Sequence, residues 1–111
     1  MPVILGQKAT WFGGSDSATI SASHNLVWNK RAHAIFANTS VRDVFLPDAR
    51  KLPTIGGPIY YIFSDGFGIV LKPSGASLDS WSVPADNLAI VCLMDNTFEE
   101  GTWLVDVRPI T

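Results

Sequence analysis

The sequence predicts an all-β domain, either an antiparallel β-sandwich or a jelly-roll-like barrel, with one short helical turn. Between residues 41 and 107, short apolar runs alternate with turn signals at intervals of roughly ten residues, as in such domains. The runs are rich in β-branched and aromatic residues, which suit a pleated, half-buried surface. The 111-residue length fits a single domain with one core, and residues 41–107 form its predicted core module.

The first predicted strand of this module covers residues 41–46, where Val41, Asp43 and Phe45 alternate with the residues between them. Pro47 removes a backbone donor and ends the strand. Residues 48–52 are predicted to form one helical turn, with Pro47 at its first position and Asp48 near its positive end.

The middle of the module is predicted to contain three strands. Residues 59–63, Ile-Tyr-Tyr-Ile-Phe, form the strongest of them. Residues 64–68 predict a hairpin loop, because Asp-Gly can supply the positive φ angles of a tight turn. Residues 69–72 form the predicted returning strand, and residues 78–83 a weaker one that contains Trp81.

The last two predicted strands close the module. Residues 88–94 are apolar at both alternating sets of positions, so both faces of this strand are expected to be covered. Cys92 lies in this run and is predicted to be an inert core thiol. Residues 95–101 form a loop, and residues 102–107 a strand whose Trp103 is predicted to lie in the core.

The first forty residues have a different character. Residues 1–12 carry one charge and are predicted to form an N-terminal arm that docks on a neighbouring subunit or another surface. Deleting residues 1–10 is expected to weaken assembly and to leave the β-domain folded. Three strand candidates follow, at residues 18–23, 26–28 and 32–36.

The composition argues for association with other protein. Charged residues make up only 16% of the chain, against about 25% in an average domain, so part of the surface is expected to be covered by a subunit or partner. A homo-oligomer, specifically a trimer, is predicted. The net charge of −2 provides no footprint for nucleic acid.

No targeting or membrane segment is expected. The N-terminal run lacks the cationic start and long apolar core of a signal peptide. No apolar run approaches the roughly eighteen residues of a membrane-spanning helix. A single cysteine excludes an internal disulfide and fits synthesis in a reducing cytoplasm.

Motifs for catalysis or metal binding are weak, and the chain is predicted to be no enzyme and to bind no cofactor or metal. His24 and His33 have no nucleophile elbow and no third ligand nearby, so they are predicted to be surface or interface residues. Asp95, Glu99 and Glu100 share a loop that could offer oxygens to calcium, but a solvated acidic loop is the favoured interpretation.

Four tryptophans are many for this length. Trp11 and Trp28 lie among small and polar residues and are predicted to be interface anchors, together with Phe12, Val3 and Leu5. Exposed aromatic rings could instead stack on sugars, the alternative interpretation. The absence of basic residues interleaved with them argues against single-stranded nucleic acid.

The motifs of residues 41–107 also follow a familiar order. They are a strand, L-P-D-A, a Leu-Pro, a Gly turn, an aromatic-aliphatic strand, a D-G turn, I-V-L-K-P-S-G, a P-A-D-N-L turn, a long apolar strand and G-T-W-L-V. This order is similar to that of a small β-module of tailed-phage virion proteins, which include capsid decoration (cement) proteins, head fibres and tail-spike segments.

The resemblance implies a structural role on a virion. The expected function is that of a capsid decoration protein, made in the host cytoplasm, that binds the major capsid protein on the capsid surface and stabilises the head lattice. A trimer would match a local three-fold axis of that lattice. The alternative is a receptor- or glycan-binding module of a tail fibre or spike.

Overall fold

The computed structural model describes residues 15–27, 29–52, 59–75 and 78–110. These residues contain nine strands, which form two sheets, and one 3-10 turn. The predicted all-β, sandwich-like fold is confirmed. The strands are β1 (Ser15–Ile20), β2 (His24–Asn25), β3 (Ala32–Ala37), β4 (Arg42–Phe45), β5 (Ile59–Gly66), β6 (Ile69–Lys72), β7 (Trp81–Val83), β8 (Asn87–Asp95) and β9 (Thr102–Pro109). None of the described residues belongs to a helix that is long and apolar enough to cross a membrane.

The strands wind between the two sheets. A five-stranded sheet has the order β1-β3-β5-β8-β9, and a four-stranded sheet has the order β2-β4-β6-β7. The first six strands alternate between the sheets, so that β1, β3 and β5 are parallel, as are β2, β4 and β6. The antiparallel pairs are β5 with β8, β6 with β7 and β8 with β9.

Strand direction is therefore mixed, whereas the sequence predicted antiparallel sheets throughout. Alternation of apolar and polar residues identifies a strand and its buried face, but it carries no information on the direction of the neighbouring strand. Short turns suggested hairpins because a hairpin is the commonest short connection between strands. Here most of the short turns carry the chain across to the other sheet.

The turn at residues 64–68 shows this difference. The predicted hairpin is wrong, because β5 lies in the five-stranded sheet and β6 in the four-stranded one. The predicted positive φ angles are present in this turn, with φ at 73° for Gly66 and 91° for Gly68. The Gly66 N–H donates to Asp65 Oδ1 at 2.7 Å, and the Phe67 N–H donates to the Ala37 carbonyl at 3.0 Å, which fixes the crossing against β3.

The predicted helical turn is a 3-10 turn at Ala49–Lys51. Asp48 precedes it as the N-cap, and its side chain accepts from the Arg50 N–H at 3.0 Å. The Arg50 guanidinium also donates to this carboxylate, and this bond holds the pKa of Asp48 below its ordinary value. Ala49 is fully buried, so the turn closes one end of the core.

The core lies between the two sheets and is filled by alternate residues of the longer strands. Trp103 is buried as predicted, with its ring centroid 6.3 Å from that of Tyr60, and its Nε1–H donates to the Glu100 carbonyl at 2.8 Å. Trp81 is half-buried and packs against the same core. The buried Ser64 hydroxyl donates to the Val83 carbonyl at 3.0 Å and so links the two sheets.

Candidate interaction surface

The outer face of the five-stranded sheet carries several exposed apolar side chains. Alternation in β3 and β8 turns Ile35, Ala37, Val91 and Leu93 into the core. The residues between them point away from it. We call this side of the sheet the outer face; its apolar members include Ala32, Ala34, Phe36, Ile59, Tyr61, Phe63, Leu88, Ile90, Cys92, Met94 and Leu104.

Strand register joins these side chains into continuous rows. Ala34 pairs with Phe63, which pairs with Leu88. In the next row Ala32 pairs with Tyr61, and Tyr61 pairs with Ile90. Directly opposed side chains on one face of a sheet contact each other, so the rows form one apolar layer.

Several large side chains of this layer remain open to solvent. Phe36 is 42% exposed, Tyr61 40%, Met94 57% and Leu104 62%. Single exposed apolar residues are ordinary, but a contiguous group marks a surface that binds something. Within the described residues the outer side of β8 is partly covered, because Ile90 and Cys92 are half-buried and Met94 is exposed.

Two adjoining depressions lie where the small side chain of Ala34 stands among aromatic rings. Their volumes are about 440 Å³ and about 280 Å³, and Ser17, Ala34 and Phe63 line both. Tyr61 and Leu88 are among the other residues that line the larger one. Phe36, Thr19 and Asp65 are among those that line the smaller one. We refer to the pair as the hollow.

The other half of the outer face is aliphatic. We call Ile90, Cys92, Met94 and Leu104 the aliphatic strip. Cys92 pairs with Leu104 across β8 and β9. It therefore lies on the outer face and not in the core, which corrects the prediction; Ala89, Val91 and Leu93 fill the inward positions of this strand.

Charges are confined to the border of this surface. Asp106 and Arg108 on β9 form an exposed ion pair with Nε and Oδ2 2.6 Å apart. Asp65 borders the hollow, and its Oδ1 accepts the Gly66 N–H. Exposed ion pairs contribute little free energy, because solvent screens them. We therefore expect the apolar side chains to contribute most of the binding energy of this face.

His33 differs from its sequence-based prediction. It is buried rather than at the surface, with Nε2 2.9 Å from the Lys30 carbonyl oxygen and its ring 6.1 Å from that of Tyr60. The reason is register, because His33 pairs with the inward-facing Ile62 of β5. His24 lies in the short strand β2, on the other sheet.

Burial also affects Tyr60. The side chain is fully buried, which raises the pKa of its phenol to about 12, and the positive charge of Arg31 opposes part of this rise. A buried phenol with this pKa stays neutral over the physiological range. Tyr60 therefore belongs to the core and not to a proton-transfer site.

The acidic loop holds its carboxylates in separate local bonds. Asp95 Oδ1 accepts from the Thr97 N–H and hydroxyl at 2.9 and 2.6 Å. Glu99 accepts from the Ser74 hydroxyl at 2.7 Å. Within the described ranges no group of three or more His, Cys, Asp or Glu side chains is placed to hold a metal ion.

The predicted interface residues Val3, Leu5, Trp11, Phe12 and Trp28 all lie outside the described residues. Sequence reasoning missed the aromatic side chains that do form an exposed surface, Phe36, Tyr61 and Phe63. The available signal was the apolar character of both alternating sets in residues 59–63 and 88–94, which predicts a sheet with a second surface to cover.

Comparison with known proteins adds no assignment, since no protein-family model and no curated protein matches the chain.

Proposed function

We propose that the protein is a non-enzymatic virion component, a capsid decoration protein that binds the outside of a phage head lattice through the outer face. The single observation that supports this most is the contiguous exposed apolar layer on one side of the five-stranded sheet. A sheet of five hydrogen-bonded strands presents such a layer on a rigid frame, as a lattice-binding surface requires.

The aliphatic strip supplies the contact with the major capsid protein in this proposal. Its exposed members, Met94 and Leu104, offer apolar area, and the Asp106 and Arg108 charges on β9 pair with each other. The low charged fraction of the whole chain and the motif order of residues 41–107 support the same role. The proposed location is the capsid surface.

The test is co-sedimentation of the full chain with undecorated capsids, comparing two matched variants. Leu104→Glu places a charge in the aliphatic strip and is expected to weaken binding at least about 30-fold, corresponding to the ~2 kcal/mol of an interface anchor. Leu78→Glu is the control, because Leu78 is 98% exposed and lies outside the outer face. It is expected to bind like the parent.

Equal binding by the two variants would contradict the assignment of the surface. Failure of the parent to co-sediment, together with binding to isolated glycans or host cells, would replace the proposed function with that of a receptor-binding module. Thermal unfolding of both variants shows whether either substitution acts through the fold, which neither exposed position is expected to do.

A further inference from the structure

The hollow is an aromatic-lined depression, and the N-terminal segment enters the sheet beside it. We propose that the chain's own Trp11–Phe12 pair fills the hollow and covers the aromatic half of the outer face. This inference does not depend on the proposed function, and it leaves the aliphatic strip free to bind a partner.

The point of attachment supports an occupant from the same chain. Residues 1–14 lead directly into Ser15, the first residue of β1, and β1 is an edge strand of the five-stranded sheet. Ser17, two residues later, lines both depressions. Ser15 itself lies in the row of Ala32 and Tyr61, beside the larger depression.

Chain length allows the contact without strain. Four residues span at most about 14 Å, so Trp11 can lie within that distance of Ser15, while five strands are roughly 19 Å wide. Gly13 and Gly14 stand between the aromatic pair and the strand. Glycine adopts positive φ without a steric cost, which permits the sharp reversal needed to bring the pair over the sheet.

The chemistry of the two sides matches. The segment contains Val3, Ile4, Leu5, Trp11 and Phe12 with a single charge, Lys8. The hollow offers the faces of Tyr61 and Phe63 over the small Ala34. Packed aromatic rings gain about 0.5–1.5 kcal/mol beyond their buried area.

Tethering favours this occupant over a free ligand. A short flexible link gives an effective concentration in the millimolar range, which exceeds that of most free ligands. The other long segment outside the described residues, 53–58, joins the sheet at Ile59 and contains one large apolar side chain, Ile55. It enters beside Cys92 and Leu104, away from the hollow.

Nuclear Overhauser contacts in the full-length 12.0 kDa chain test the proposal directly. Trp11→Phe assigns the Trp11 indole resonances. We expect contacts from the Trp11 ring to the Ala34 methyl group and to the Tyr61 ring. A mixed sample of isotope-labelled and unlabelled chains separates contacts within a chain from contacts between copies, and only the former are expected.

Two matched variants provide a second measurement. Ala34→Glu places a charge in the hollow at an exposed position and is expected to abolish the Trp11 contacts while the core resonances stay in place. Ser82→Glu places the same charge at an exposed position of β7 in the other sheet and is expected to preserve them. Loss of the contacts in both variants would overturn the assignment to the hollow.

Three further outcomes would overturn the proposal. The first is the lack of any Trp11 contact with the outer face in the parent chain. The second is contacts between copies, which would make the segment an assembly arm. The third is a shift of the Ala34 and Tyr61 resonances on addition of free sugars while Trp11 stays in solvent, which would make the hollow a carbohydrate site.

Discussion

At the scale of single residues, Gly66 occupies a position where a side chain would be strained. Its φ of 73° belongs to the left-handed region, and a Cβ there would overlap the backbone carbonyl oxygen of Ala37. Gly66→Ala is expected to lower the free energy of unfolding by at least about 2 kcal/mol, since left-handed backbone costs about 1–2 kcal/mol and the backbone overlap adds to it.

Gly75→Ala is the matched control for this substitution. Its φ is also positive, at 89°, but a Cβ there would meet only the flexible side chain of Glu99 at 3.3 Å. Chemical denaturation is expected to show the smaller loss for Gly75→Ala. Equal losses would mean that the approach of β5 to Ala37 is looser than the structure indicates.

Tyr60 makes the free energy of unfolding depend on pH in the alkaline range. Its folded pKa of about 12 exceeds the ordinary value of 10.0, so the unfolded chain releases the proton first as pH rises. The stabilisation by the neutral phenol is complete below pH 10 and is lost as pH approaches 12, by about 2 kcal/mol. Tyr61→Phe leaves Tyr60 as the only tyrosine, so phenolate absorbance then reports its titration. A midpoint near 10 would show that the ring is accessible to water.

At the scale of strands, Trp103 is the buried side chain by which β9 closes the core, and Val105 and Val107 pack beside it. Trp103→Ala is expected to cost about 3–5 kcal/mol, because it empties a buried aromatic position and leaves the Glu100 carbonyl without its indole donor. Leu104→Ala, one position along on the outer face, is the control and should cost far less. A similar small melting shift for both variants would contradict the assigned orientation of β9.

Strands and their buried faces were largely accessible from sequence, and their connections were not. The alternation in residues 59–63 and 102–107 identified β5 and β9, and Asp48 before the Ala49–Lys51 turn could be placed as a helix-start residue. The route from β5 to β6 could not be inferred, because a Gly-rich turn serves equally well in a hairpin and in a crossing between sheets. His33 and Cys92 were misplaced for a related reason, since their faces depend on register with β5 and β9.

At the scale of the whole molecule, the shortage of charge predicts self-association. A homotrimer is expected at micromolar concentration, measured by light scattering, because closed symmetric assemblies are the norm and charged residues make up only 16% of the chain. Leu104→Glu and Leu78→Glu should both leave the trimer intact, because the proposed contact of the aliphatic strip is with the capsid. A monomeric parent, both free in solution and on capsids, would rule out the trimer.

The existence of a covered surface could be inferred from the sequence, but its location could not. The shortage of charge indicates that some surface is covered, but an overall composition does not say which residues form that surface. The tryptophans drew attention to residues 11 and 28, whereas the exposed rings of the described sheet are phenylalanine and tyrosine. Which of two apolar faces turns outward depends on where the second sheet packs, and that is a property of the assembled fold.

The winding of the first six strands determines when the chain can fold. Among the described strands, none of the first five pairs with a neighbour in sequence; β1 pairs with β3, β2 with β4, β3 with β5 and β4 with β6. The pairings of consecutive strands are β6 with β7 and β8 with β9, both in the last part of the chain. Since contacts between distant residues must await loop closure, a chain emerging from the ribosome has no early hairpin to nucleate on. Folding is therefore expected to begin after synthesis of the C-terminal strands and to proceed back toward the N-terminus.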